Sequence, residues 1–133
     1  MADILVPDNV FTDISTDFDQ NPANDDVIRL RDIESIKRSI RNIILTNKGE
    51  RPFNFNFGSG VRDFLFETVS PFVLQVLRLE LEQNIQQHEP RATNVRAEVY
   101  GRMDANELVA DIKFVPINTT QVVTLNIILE RKR

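Results

Sequence analysis

Isoleucines recur at positions 33, 36, 40, 43 and 44, and the residues between them are mostly polar. That spacing lines them up on one face of an α-helix, predicted over residues 33 to 46. Glu34, Lys37, Arg38 and Arg41 fall off the stripe. Asp32 stands where a carboxylate can accept an orphan backbone N–H of the first turn. Lys48-Gly49 is read as the stop, because glycine is free to take the left-handed geometry beyond a helix end. A second long helix is predicted from Pro71 to residue 87, with Ser70 as N-cap and proline at the first helical position, where no N–H is needed. It carries two stripes. Leu74, Leu77, Leu81 and Ile85 form one, expected against the domain's own sheet. Phe72, Val76 and Leu79 form the other, expected against either the first helix or a partner chain.

After Pro90 the period switches from helical to two. Val95, Ala97 and Val99 alternate with Arg96, Glu98 and Tyr100. Leu108, Ala110, Ile112 and Phe114 alternate likewise, and Arg102 to Asn106 supplies a turn between the two runs. A third strand is predicted over 121 to 130, apolar at Val123, Leu125, Ile127 and Leu129, with Val122 and Ile128 making its other face partly apolar. The pattern therefore predicts an α+β fold, two main helices packed on a small antiparallel β-meander. A three-stranded meander has two open edges, which must be covered, charged or used for pairing with another chain.

Two stretches fit no simple period. Residues 8 to 26 are rich in Asp and Asn, contain no Lys or Arg, and carry Phe11, Ile14 and Phe18 as isolated apolar positions. They read as a solvated acidic segment with a few anchors, so residues 1 to 26 are set apart from a domain over 27 to 133, and their order is expected to depend on assembly. A short strand is expected at Val27 to Leu30. The stretch Gly49 to Glu67 holds five of the nine phenylalanines. Phe53, Phe55 and Phe57 alternate with Asn and share one side if the chain is extended. The rings either pin a loop onto the core or form an interface patch. Val61 to Glu67 is read as a short helix.

Composition then narrows the chemistry. The 133 residues are 41% hydrophobic, enough for one core. A net charge of −4 argues against a general nucleic-acid binder. No apolar run approaches the length of a membrane span, and the N-terminus lacks the features of a secretory signal. The protein is expected to be soluble and used in a cytoplasm. One histidine and no cysteine argue against a transition-metal site, a thiol nucleophile or disulfides. There is no phosphate-binding glycine loop, and no cofactor is expected. The lone histidine lies in Gln86-Gln87-His88-Glu89-Pro90-Arg91. His88 and Glu89 are adjacent, and helix neighbours do not face each other, so an acid–base pair is disfavoured. A two-carboxylate glycosidase drawing on Glu67, Glu80, Glu82 or Glu89 is disfavoured because the chain has no tryptophan and one tyrosine, and so offers few rings for stacking sugars. No catalytic residue is assigned. Pro90 ends the helix, and Glu89 and Arg91 flank a rigid corner. Those charges either make directional bonds to a partner or satisfy the domain's own helix ends.

The order of an Ile-rich helix, Gly49-Glu50-Arg51-Pro52-Phe53, Ser70-Pro71 opening a long helix, Glu89-Pro90-Arg91 and three strands resembles a known family. It is similar to the small "lysozyme-like" baseplate-wedge proteins of contractile phage tails, whose relatives include sheath-initiating subunits of type VI secretion baseplates. The similarity spans residues 27 to 130, and the paired Gly-x-Arg-Pro-Phe and Glu-Pro-Arg motifs are specific in that order. The resemblance implies a non-enzymatic virion protein of the tail baseplate, assembled in the host cytoplasm and present in several copies in a ring. It implies a sheath-like handshake domain that docks on the helical bundle of other wedge proteins and starts the tail sheath by strand sharing. Glu89, Pro90, Arg91, Arg51, Pro52 and Phe53 are the partner-binding residues it implies. Neither nucleic acid nor membrane is an expected partner. A secretion-system subunit and, more remotely, a peptidoglycan-cleaving muramidase are the alternatives.

Overall fold

A computed structural model describes residues 12–14, 29–31, 33–102, 107–117 and 119–130. Along the chain these form β1 (Thr12–Ile14), β2 (Arg29–Arg31), α1 (Ile33–Leu45), α2 (Val61–Leu65), α3 (Pro71–His88), β3 (Ala92–Arg102), β4 (Glu107–Pro116) and β5 (Val123–Glu130). β3, β4 and β5 make an antiparallel meander in that order. The predicted α+β architecture is what the chain adopts.

The isoleucine stripe forms α1 and buries Ile36, Ile40, Ile43 and Ile44. Ser70 caps α3 as predicted, its side chain accepting the Val73 N–H at 3.2 Å. Leu77, Leu81 and Ile85 bury against β3 and the sheet's inner face, where Ala97, Ala110, Ile112, Phe114, Leu125, Ile127 and Leu129 complete one core. Burying a Leu or Ile side chain contributes about 1.5–3 kcal/mol, so this shared core is what fixes helices to sheet.

Several expectations change. Gly49 does take a positive φ of 84°, but in the loop beyond α1 and not as its C′ residue. The helix end is closed from across the loop, where the buried Ser59 hydroxyl donates to the Ile44 carbonyl at 2.7 Å. Gly58, at φ 114°, lets the chain pass so close that a Cβ would lie 2.4 Å from the Thr46 carbonyl oxygen. The second α3 stripe does not pack on α1, since Phe72 is 75% and Leu79 52% exposed. Of the strand expected at Val27 to Leu30, Arg29 and Leu30 fall in β2 while Val27 and Ile28 lie outside the described residues, and part of the acidic segment pairs with β2 as β1. Asp32 and most of the turn between β3 and β4 lie outside the described residues.

Candidate functional site

The Glu-Pro-Arg corner joins α3 to β3. Glu89 is the C-cap of α3, its N–H donating to the Ile85 carbonyl at 2.8 Å. Pro90 cannot continue the helix, and the Ala92 N–H returns to the Glu89 carbonyl at 3.2 Å. This turn brings Glu89 and Arg91 to the same side, two residues apart. The guanidinium grips the carboxylate at both oxygens, Nε to Oε1 at 2.6 Å and Nη2 to Oε2 at 2.8 Å. Arg91 Nη1 also donates to the hydroxyl of the buried Ser35, at 3.3 Å, tying the corner to α1.

Glu89 is only 2% exposed. Burial pushes its pKa up, but the Arg91 bonds, the Ser39 hydroxyl and the Arg91 charge outweigh that and hold it below its ordinary value. The pair is ionised, bidentate and buried at the carboxylate, an arrangement that braces three elements. Of the charges read as a corner, Glu89 faces inward, Arg91 retains a partly exposed side chain, and Pro90 is exposed.

The Arg51-Pro52-Phe53 motif lies on a loop of successive turns, with Gly49 N–H donating to the Phe55 carbonyl at 2.9 Å. The segment is therefore not extended, and its rings diverge. Phe53 is fully exposed and Phe55 is 65% exposed, so neither pins the loop. Phe57 does that work. Its ring lies 5.1 Å from the His88 imidazole, tilted to it, and the Arg51 guanidinium sits 4.0 Å over the same ring. Glu80 fastens the loop's far end, accepting from Gly60 N–H at 3.0 Å and from Lys48 at 3.3 Å. The structure thus links Arg51 through the Phe57 ring to His88, the residue before Glu89, and leaves Pro52 and Phe53 facing solvent. His88 is a packing residue in this cluster, with its Nε2 buried and without a hydrogen-bond partner among the described residues.

The two sheet edges differ. β3 carries a register irregularity between Thr93 and Arg96, with Asn94 at φ 50°. Its Ala97 N–H is taken by Glu82 of α3 at 2.9 Å. A bulge and a carboxylate on an edge N–H both discourage strand pairing. β5 runs in unbroken register with β4 over eight pairs. Glu130 is its single charged residue, and among the described residues β4 is its only neighbour.

Sequence reasoning missed Ser35 and Glu82 as anchors, and named Phe57 only as one of three rings that could pin the loop. The available signal for the first was a pair of serines, 35 and 39, one helical turn apart beside the isoleucine stripe. The carboxylates considered for hydrolysis have other tasks. Glu80, Glu82 and Glu89 hold a loop, a strand edge and a corner, and Glu67 is exposed.

The family model described as "Baseplate wedge protein gp25" matches residues 30–120. The baseplate wedge protein gp25 of Enterobacteria phage T4 is 35% identical over 95 residues, covering 71% of this chain and 72% of that protein. A crystal structure of a Geobacter sulfurreducens protein called a tail lysozyme superposes with a TM-score of 0.68 at 28% identity, covering 75% of this chain and 91% of that one. A chain of the type VI secretion baseplate complex gives 0.66 at 15% identity, over 76% and 94% of the two chains. A chain of the anti-feeding prophage baseplate gives 0.63 at 18%, over 92% and 87%. The last two establish likeness of fold.

Proposed function

The chain belongs to the family of baseplate wedge protein gp25, and from that premise we propose that it is a non-enzymatic subunit of a contractile-tail baseplate with two working surfaces. The first docks on the other wedge proteins. It comprises the exposed Pro90, the outer side of Arg91, and Arg51, Pro52 and Phe53 on the loop held to the same corner by Phe57 and His88. Glu89 acts in it indirectly, by fixing Arg91. The second is the edge of β5, offered to the first sheath subunits as a template for strand sharing, with backbone hydrogen bonds supplying affinity.

The observation that carries this reading is the asymmetry of the sheet. β3 is bulged and capped by Glu82, while β5 keeps a regular edge with a single charge. A protein without use for that edge would be expected to guard it as it guards the other.

Electron microscopy of particles assembled with surface variants tests both halves. Phe53→Ser and Pro90→Ala alter exposed groups, and folded protein that fails to enter baseplates is the expected result. Thr124→Lys with Ile128→Lys places lysines along the β5 edge, the device by which natural sheets block pairing. Complete baseplates without sheath are expected. Normal incorporation of the first two variants refutes the docking surface, and normal sheaths on the lysine variant refute strand sharing at β5.

A further inference from the structure

Among the described residues the core does not close at β5. A cleft of about 290 Å³ opens where the end of α1 and one side of α2 meet the last residues of that strand. Its floor is core, with Ile44, Val61 and Leu129 each 3% exposed. Its walls are apolar but reach solvent, with Leu45 56% and Phe66 62% exposed. The volume equals roughly ten waters at ~30 Å³ each. Leu129 belongs to the sheet's inner row with Leu125 and Ile127, so the cleft prolongs the layer between sheet and helices past the edge strand.

A fourth strand beside β5 would lie about 4.8 Å further out, with alternate side chains directed into that layer. Those at the Leu129 end would arrive beneath Leu45 and Phe66. Backbone bonds to an edge are indifferent to sequence, and selection comes from pockets for alternate side chains. Resting on the strand-sharing reading above, we infer that this cleft is the specificity pocket of the β5 edge. It accepts a bulky, uncharged apolar side chain from the partner segment that pairs there. The occupant is an extended segment with leucine-, isoleucine- or phenylalanine-like residues at every second position. Arg62 and Glu130, of opposite charge, both line the cleft, so neither sign of charge on the entering side chain is favoured.

The test uses the full chain and a dye-labelled ten-residue peptide alternating leucine with threonine, measured by fluorescence polarisation. Saturable binding is expected, and replacing the leucines by alanine weakens it by at least about tenfold. Leu45→Ser with Phe66→Ser, both at exposed positions, weakens it similarly while a cooperative thermal transition shows the variant still folded. N-methylation of alternate peptide amides abolishes it. If methylation abolishes binding but the alanine peptide binds equally well, strand sharing stands and the pocket is refuted. If methylation has no effect, strand sharing itself fails. No binding at about 1 mM peptide, or self-association of the chain that the Leu45/Phe66 variant removes, also overturns the inference, the latter by naming a second copy as occupant.

Discussion

Arg91→Ala is the sharpest probe of the corner. It removes both bonds to a carboxylate that is 3% exposed and cuts the link from Arg91 to Ser35. Breaking a buried ion pair by removing one partner typically costs about 3–5 kcal/mol, because the remaining charge is left without compensation. The Arg91 side chain is itself 24% exposed, which places the expected loss at the lower end, about 3 kcal/mol. At roughly 4 °C per kcal/mol for a chain of this size, the thermal midpoint at pH 7 falls by about 12 °C.

Glu89→Ala is milder, about 2 kcal/mol, since the arginine left behind can turn its head to water along its own stem. The double variant loses less than the sum of the two, because the second deletion removes a group already orphaned. The pH dependence has a definite sign. Glu89 has a folded pKa below its ordinary value of 4.5, so the pair's contribution is complete above that value. It drains away as the pH falls through the lowered one. In Arg91→Ala the carboxylate stays buried without its partner, its pKa rises, and protonation relieves the penalty. The deficit of the variant relative to the parent therefore starts to shrink as the pH falls through the variant's raised pKa and goes on shrinking down to the parent's lowered one. Calorimetry or circular dichroism melts from pH 3 to 8 measure all of this (roughly the range in which a carboxylate changes charge). A neutral-pH midpoint within about 2 °C of the parent, or a deficit that does not vary with pH, would show that the pair does not brace the fold.

Other consequences are simpler to measure. Glu82→Ala leaves the Ala97 N–H unpaired on the β3 edge. The expected loss is about 1–3 kcal/mol in denaturant melts, with increased self-association by light scattering as the edge becomes available. Gly58→Ala should destabilise by more than about 2 kcal/mol, since the new Cβ meets backbone at 2.4 Å. Gly49→Ala has open space at a similar φ and is expected to lose only about 1 kcal/mol, so the ranking of the two separates collision from conformational strain. Phe53→Ser should leave the midpoint unchanged within error, because that ring is fully exposed.

Much of the fold was legible in the sequence because it is carried by periodic apolar positions. The isoleucine stripe of α1, the Ser70-Pro71 start of α3 and the alternation of β3, β4 and β5 are local signals, and the core is their sum. The limits of that reasoning are also physical. Phe53, Phe55 and Phe57 look equivalent in a row, yet turns split them and only Phe57 packs. Phe72, Val76 and Leu79 look like a second core stripe, but no element of the described chain lies over Phe72 and Leu79.

The candidate site divides in the same way. The order of Gly-x-Arg-Pro-Phe and Glu-Pro-Arg, the helix stop at Pro90 and the existence of two sheet edges were all available from the residues alone. Whether Glu89 faces a partner or its own fold was not, because that depends on Ser35 and Ser39, which lie 50 or more residues away in sequence and next to it in space. The guarding of β3 likewise depends on Glu82 reaching across from α3, and the cleft beside β5 on where the end of α1 and α2 come to rest. Local chemistry decided which elements form. Only long-range packing decided which charges are spent inside the molecule and which edge has no neighbour among the described residues.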